Sequence, residues 1–75
     1  MSTKSIFSQN LKYKRKQNRW TQQKAADQMG VPLKRYQSYE YDIAEAPHAV
    51  LIKAKEVYKE TIDRLLTVNL TITTV

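Results

Sequence analysis

Apolar residues recur along most of this chain at spacings of three and four, a period that predicts helices and not strands. Ser8 is expected to cap a first helix running to about Asn18, with Phe7 and Leu11 on one face and Lys12, Lys16 and Arg19 on others. Thr21 suits a second cap, because its hydroxyl can accept a hydrogen bond from an unpaired N–H of the next turn. Ala25, Ala26 and Met29 then follow at helical spacing. Gly30, the only glycine in 75 residues, comes next, where a helix C-terminus favours φ > 0 and only glycine escapes a Cβ penalty. Pro32 restricts Val31 and has no N–H to donate, so it suits the entry to a third helix at about residues 33–41. Leu33, Tyr36 and Tyr39 share one side of that helix, and Lys34, Arg35, Gln37 and Ser38 lie on the other.

Downstream, "YDIAEAP" at residues 41–47 has loop composition, and Pro47 opens a fourth helix with Val50, Leu51, Ala54, Val57 and Tyr58 inward. Thr61 caps a short fifth helix that holds Ile62, Leu65 and Leu66. The period then changes. Val68, Leu70 and Ile72 alternate with Asn69, Thr71 and Thr73, the pattern of a strand. A lone strand cannot satisfy its own backbone, so residues 68–75 are expected to pair with another copy, pair with sequence beyond this chain, or stay flexible, as a dimerisation strand or a linker. The expected organisation is therefore one all-α, five-helix domain over residues 1–67 with a short strand-like tail at 68–75.

Composition narrows the chemistry. The chain has no Cys, one His and one Gly. Thiolate metal sites, disulfides and glycine-rich phosphate loops are therefore excluded, and neither a metal nor a cofactor is expected. Ser2, Ser5, Ser8 and Ser38 lack a nucleophile's strand-turn-helix setting, so an enzyme is not expected. The longest late apolar run, residues 49–52, is far too short to cross a bilayer, and the N-terminus lacks a signal-peptide core. A cytoplasmic, nucleoid-associated protein is the expectation.

Charge is divided unevenly. Residues 1–40 carry nine Lys or Arg against Asp27 and Glu40, a net +7, whereas residues 41–75 carry a net −1, which together make the +6 of the whole chain. An excess of positive charge in one half suits a surface that meets phosphates. A basic first helix could also adsorb to an anionic membrane, but Lys and Arg surround Tyr13 without a wide apolar face. Two short helices joined by a glycine-containing turn, the second with basic and polar residues exposed at its start, describe a helix-turn-helix, in which small Ala26 permits a close crossing.

The segment "WTQQKAADQMGVPLKRYQSYE" resembles the helix-turn-helix of the phage-repressor (Cro and C1 type), or XRE, family. The resemblance spans roughly residues 7–66, with "LIKAKEVYKETIDRLL" similar to the family's fourth and fifth helices. It is carried by Trp20, Thr21, Gln22, Ala25, Ala26, Met29, Gly30, Val31, Tyr36, Tyr39 and Glu40. It implies a lambda-repressor-like fold and a sequence-specific transcriptional regulator, in the expected case a repressor. Such a protein would bind double-stranded DNA at a palindromic operator as a homodimer. Leu33, Lys34 and Ser38 would then read base edges, with Arg35 and Gln37 beside them. Thr21, Gln22, Lys12 and Arg19 would contact phosphates, and Arg15 and Glu40 would form a structural pair. The alternative is a protein-interaction module of the same fold, antitoxin-like or coactivator-like, with secondary DNA contact.

The sequence departs from the family pattern at particular places. Lys14 and Lys55 stand where the family is usually apolar or small, Glu60 where it is often apolar, and Arg19 where it usually has Gly. A leaner core, with the long side chains snorkelling, is the expected effect. Asp42 and Glu45 occupy a loop that is basic in many relatives, and two carboxylates there would repel DNA, so either the loop turns away or the affinity is modest.

Overall fold

The computed structural model describes residues 5–68. It contains α1 (Ile6–Gln17), α2 (Gln22–Met29), α3 (Leu33–Glu40), α4 (His48–Tyr58) and α5 (Ile62–Thr67), with no strand among the described residues. The architecture is all-α, as the periodicity predicts. Beyond Val68, whose backbone is extended, the strand-like tail lies outside the described residues.

The helix ends follow local chemistry. Thr21 Oγ1 accepts from the Lys24 N–H at the start of α2, and Thr61 does the same for Arg64 at the start of α5. Gly30 ends α2 at φ 71°, its N–H directed at the Ala26 and Asp27 carbonyls. A Cβ on Gly30 would meet nothing within 4 Å, so glycine is favoured there by backbone conformation and not by crowding.

The first helix begins earlier than the expected Ser8 cap. Ser5 is the N-cap, its Oγ accepting from the Ser8 N–H at 3.1 Å. Ser8 lies inside the helix, buried, and donates its hydroxyl to the Tyr39 carbonyl at 2.6 Å. The serine expected to start α1 instead ties α1 to the end of α3.

Helix α1 packs on α3 and α5, α2 packs on α3 and α4, and α4 packs on α5. Phe7, Leu11, Ala25, Ala26, Met29, Tyr36, Tyr39, Val50, Ala54, Tyr58 and Leu65 form one buried cluster. The Trp20 and Tyr58 rings, 5.8 Å between centres and tilted by 36°, pack together beside the α1–α2 turn. Of the apolar residues in α5 only Leu65 is buried, and Leu66 is 42% exposed. Buried Asn10 donates to the Leu65 and Val68 carbonyls at 2.9 and 2.7 Å, satisfying groups that the end of α5 leaves without helical partners.

The departures noted in the sequence have physical counterparts. Lys14 and Glu60 are each other's partner, Nζ to Oε2 3.1 Å, so the two unusual charges link α1 to the α4–α5 turn. Glu60 also accepts from Arg64 Nε at 2.8 Å. Arg19, Asp42 and Lys59 all have positive φ. Lys59 at φ 56° ends α4 where glycine is usual, and its side chain is exposed. Replacing Lys59 with Gly is expected to stabilise the domain by about 0.5–1 kcal/mol, the left-handed penalty of lysine less the extra chain entropy of glycine. Urea denaturation reads the change, and a lower midpoint for the variant would contradict it.

Candidate nucleic-acid interface

The sequence of α3 sets its two faces. Tyr36, Tyr39 and Glu40 are buried, whereas Lys34 and Arg35 are exposed and Gln37 and Ser38 half-buried. Leu33 is half-buried and packs partly on the core. Lys34, Arg35 and Ser38 line an open groove with Pro32, Tyr39, Ala44, Glu45 and Pro47. Ser38 donates its hydroxyl proton to the Lys34 carbonyl at 3.1 Å, so its oxygen remains an acceptor toward an approaching amino group.

A buried ion pair fixes the far end of α3. Arg15 Nε lies 2.7 Å and Nη2 3.2 Å from the two oxygens of Glu40, while Nη1 donates to the Trp20 carbonyl at 3.0 Å. Glu40 is 1% exposed. Burial alone would raise its pKa, but the hydrogen bonds from Arg15 and Gln22, with the Tyr36 hydroxyl nearby, hold the carboxylate below its ordinary value. The Glu40 hydrogen bond, opposed by burial, raises the Arg15 pKa. The buried hydroxyls of Tyr36 and Tyr58 lie close to this pair, without a hydrogen bond of standard geometry. Burial pushes both phenols upward, so they stay neutral.

Glu60 likewise has a lowered pKa, chiefly through its bond from Arg64, with Lys14 assisting against burial. Both carboxylates bind protons more weakly folded than unfolded. Their contribution to stability is therefore complete above the unfolded value near 4.5 and is lost as pH falls through their lower folded values. The thermal midpoint is expected to fall steeply below about pH 4.5, and a midpoint flat down to pH 3 would contradict this.

Gln22, at the start of α2, has its carboxamide engaged inside the protein. Its Nε2 donates to Glu40 Oε1 at 3.2 Å and to the Tyr41 hydroxyl at 3.1 Å, and its Oε1 accepts from Gln37 Nε2 at 3.0 Å. Thr21 is exposed while it caps α2, and Lys12 and Arg19 are exposed on α1 and in the turn after it. Ala26 is fully buried in the core cluster that joins α2 to its neighbours.

The acidic loop behaves differently at its two carboxylates. Asp42 turns toward the start of α1, where Oδ2 accepts from the Ser5 N–H at 3.0 Å and Oδ1 lies 3.4 Å from Ser8 Oγ. A carboxylate there is favoured by the helix N-terminus. Glu45 instead lines the groove beside Lys34 and Arg35. Asn10, Tyr41 and Glu45 were not among the expected site or framework residues. Asn10 carries a local signal, since it lies three residues after Phe7 and beside Leu11, on the inward side of α1.

Among the described residues no cluster of His, Asp or Glu could hold a metal, and no helix is long and apolar enough to cross a membrane. A family model described as Helix-turn-helix matches residues 11–65. The chain is similar to the "Uncharacterized HTH-type transcriptional regulator YqaE" of Bacillus subtilis (strain 168), 38% identical over 61 residues. That stretch covers 81% of this chain and 53% of the relative, so the chain spans about half the relative's length. No solved structure matches it. With the family model covering α2, the Gly30 turn and α3 together, the chain belongs to the helix-turn-helix family of the Cro/C1, XRE type.

Proposed function

We propose that this domain is a sequence-specific DNA-binding transcriptional regulator that reads the major groove with α3. The observation that carries the reading is the exposed, basic and polar face of α3, with Lys34 and Arg35 outward, on a helix whose other face is anchored by the Arg15–Glu40 pair. Lys34 and Arg35 can donate to guanine O6 and N7, Ser38 can accept from an amino group, and the exposed part of Leu33 can touch a thymine methyl. Lys12, Arg19 and Thr21 supply phosphate contacts, which set register and affinity but carry no sequence information. One copy reads only a few base pairs. A homodimer on a palindrome, with half-sites about 34–36 Å apart, gains the specificity an operator needs. Such a dimer acts by occupying its operator, as a repressor.

Phosphate contacts release counterions, so affinity must fall with salt. For four contacts the association constant is expected to fall about 100-fold between 50 and 200 mM salt, read by fluorescence anisotropy on labelled duplex DNA. Binding independent of salt would contradict the reading. The second reading, a protein-interaction module, draws on the 74% exposure of Ile43 in the loop after α3. Salt-insensitive capture of a protein partner, with negligible DNA affinity at low salt, would select it.

A further inference from the structure

We infer that Glu45 is a specificity-determining residue, its carboxylate accepting a hydrogen bond from the N4 amino group of a cytosine among the base pairs that Lys34 and Arg35 reach. The inference rests on the DNA-binding reading above and deepens it. It starts from a contrast between the two carboxylates of the loop after α3. Asp42 is turned aside to the start of α1, where its Oδ2 accepts from the Ser5 N–H at 3.0 Å. Glu45 is exposed and lines the groove of Lys34, Arg35 and Ser38. Among the described residues, Glu40 and Glu60 are paired with Arg15, Lys14 and Arg64, whereas no ion pair joins Glu45 to either cation of its groove. Its oxygens therefore stay open to an incoming donor. The loop is also pinned to α3, since the Ser38 carbonyl accepts from the Ile43 N–H at 2.9 Å and from the Ala44 N–H at 3.4 Å. Glu45 consequently approaches DNA together with α3.

A carboxylate carried to a duplex meets phosphates that repel it, and only a base amino group can offset that repulsion. In the major groove those groups are cytosine N4 and adenine N6. Adenine N6 stands beside the acceptor N7, which repels the second carboxylate oxygen, whereas cytosine has no acceptor on its own edge of the groove. Cytosine is therefore favoured. A G·C pair also suits the mixed charge of this groove, because guanine N7 and O6 accept from Lys34 or Arg35 while cytosine N4 donates to Glu45. Guanine or thymine in the place of that cytosine would present only acceptors to the carboxylate, so Glu45 selects by repulsion as well as by attraction.

The test compares the wild type with Glu45→Ala on the wild type's selected motif and on duplexes with one base pair replaced. A further duplex carries pyrimidin-2-one, which lacks the N4 amino group, in place of the cytosine. Glu45 is exposed, so the two proteins are expected to melt alike. The wild type is expected to favour cytosine over pyrimidinone at one position by about tenfold, and Glu45→Ala to bind those two duplexes equally. Base preference elsewhere in the motif should coincide between the two proteins. If Glu45→Ala binds every duplex more tightly by one common factor, the carboxylate only repels phosphates, and the inference falls while the DNA-binding reading stands. Equal sensitivity of both proteins to the pyrimidinone overturns it in the same way. A wild type that selects no motif defeats the DNA-binding reading itself, and the inference with it.

Discussion

Replacing Glu40 with alanine is expected to destabilise the domain by about 3–5 kcal/mol, enough to unfold much of it at room temperature. The magnitude follows from what remains. Arg15 would keep a largely buried guanidinium, its side chain 13% exposed, with no opposing charge, and Gln22 would lose the acceptor for one of its N–H groups. A chain of 75 residues commands only a few kcal/mol in total, so one broken buried pair is a large fraction of it. Removing both charges together, as Arg15→Met with Glu40→Leu, is expected to restore most of the loss, because no uncompensated charge then stays buried. Urea denaturation of the three variants decides it. A loss under about 1 kcal/mol for Glu40→Ala would show that the pair is peripheral to stability.

The second large effect concerns binding. Lys34→Ala is expected to relax base preference at one position of the site by about 1–3 kcal/mol, about 5- to 150-fold, while leaving the other positions unchanged. Lys34 is exposed, so its truncation should leave the melting temperature close to wild type. Lys12→Ala provides the contrast, since a phosphate contact lowers affinity on all sequences alike. Competition binding on singly substituted duplexes separates the two patterns. Equal losses on every sequence for Lys34→Ala would mean that it contacts backbone and not a base.

Much of the fold was legible because its punctuation is local. Thr21, Gly30, Pro32, Pro47 and Thr61 each act within one turn of themselves, and all five mark helix ends in the structure. Ser5 and Ser8 could not be ranked the same way. Both are serines near the first apolar residues, and what separates them is the bond from Ser8 to Tyr39, 31 residues away. The same holds for Asp42 and Glu45, two carboxylates of one loop that look alike in sequence. Only the meeting of that loop with the start of α1 turns Asp42 into a partner of Ser5, and leaves Glu45 beside the basic groove.

Long-range pairing also explains the unusual charges. Taken singly, Lys14 and Glu60 each read as a charge at a core position, but Nζ and Oε2 lie 3.1 Å apart in the fold. Left-handed residues were equally hard to place, because the sequence marks such conformations through glycine. Gly30 was marked in that way, whereas Arg19, Asp42 and Lys59 adopt φ near +60° without the marker. The outward residues of α3 followed from periodicity, but the direction of the amide at Gln37 depends on Glu40 and Gln22, and so on the packed arrangement of three helices.

The central claim, that α3 reads DNA sequence as part of a dimer, is tested most directly by selecting a random duplex library on the purified protein at moderate salt and sequencing what is retained. The account predicts a palindromic motif with half-sites about one helical turn apart. Retention of DNA with no enriched motif, or no retention at all, would contradict it.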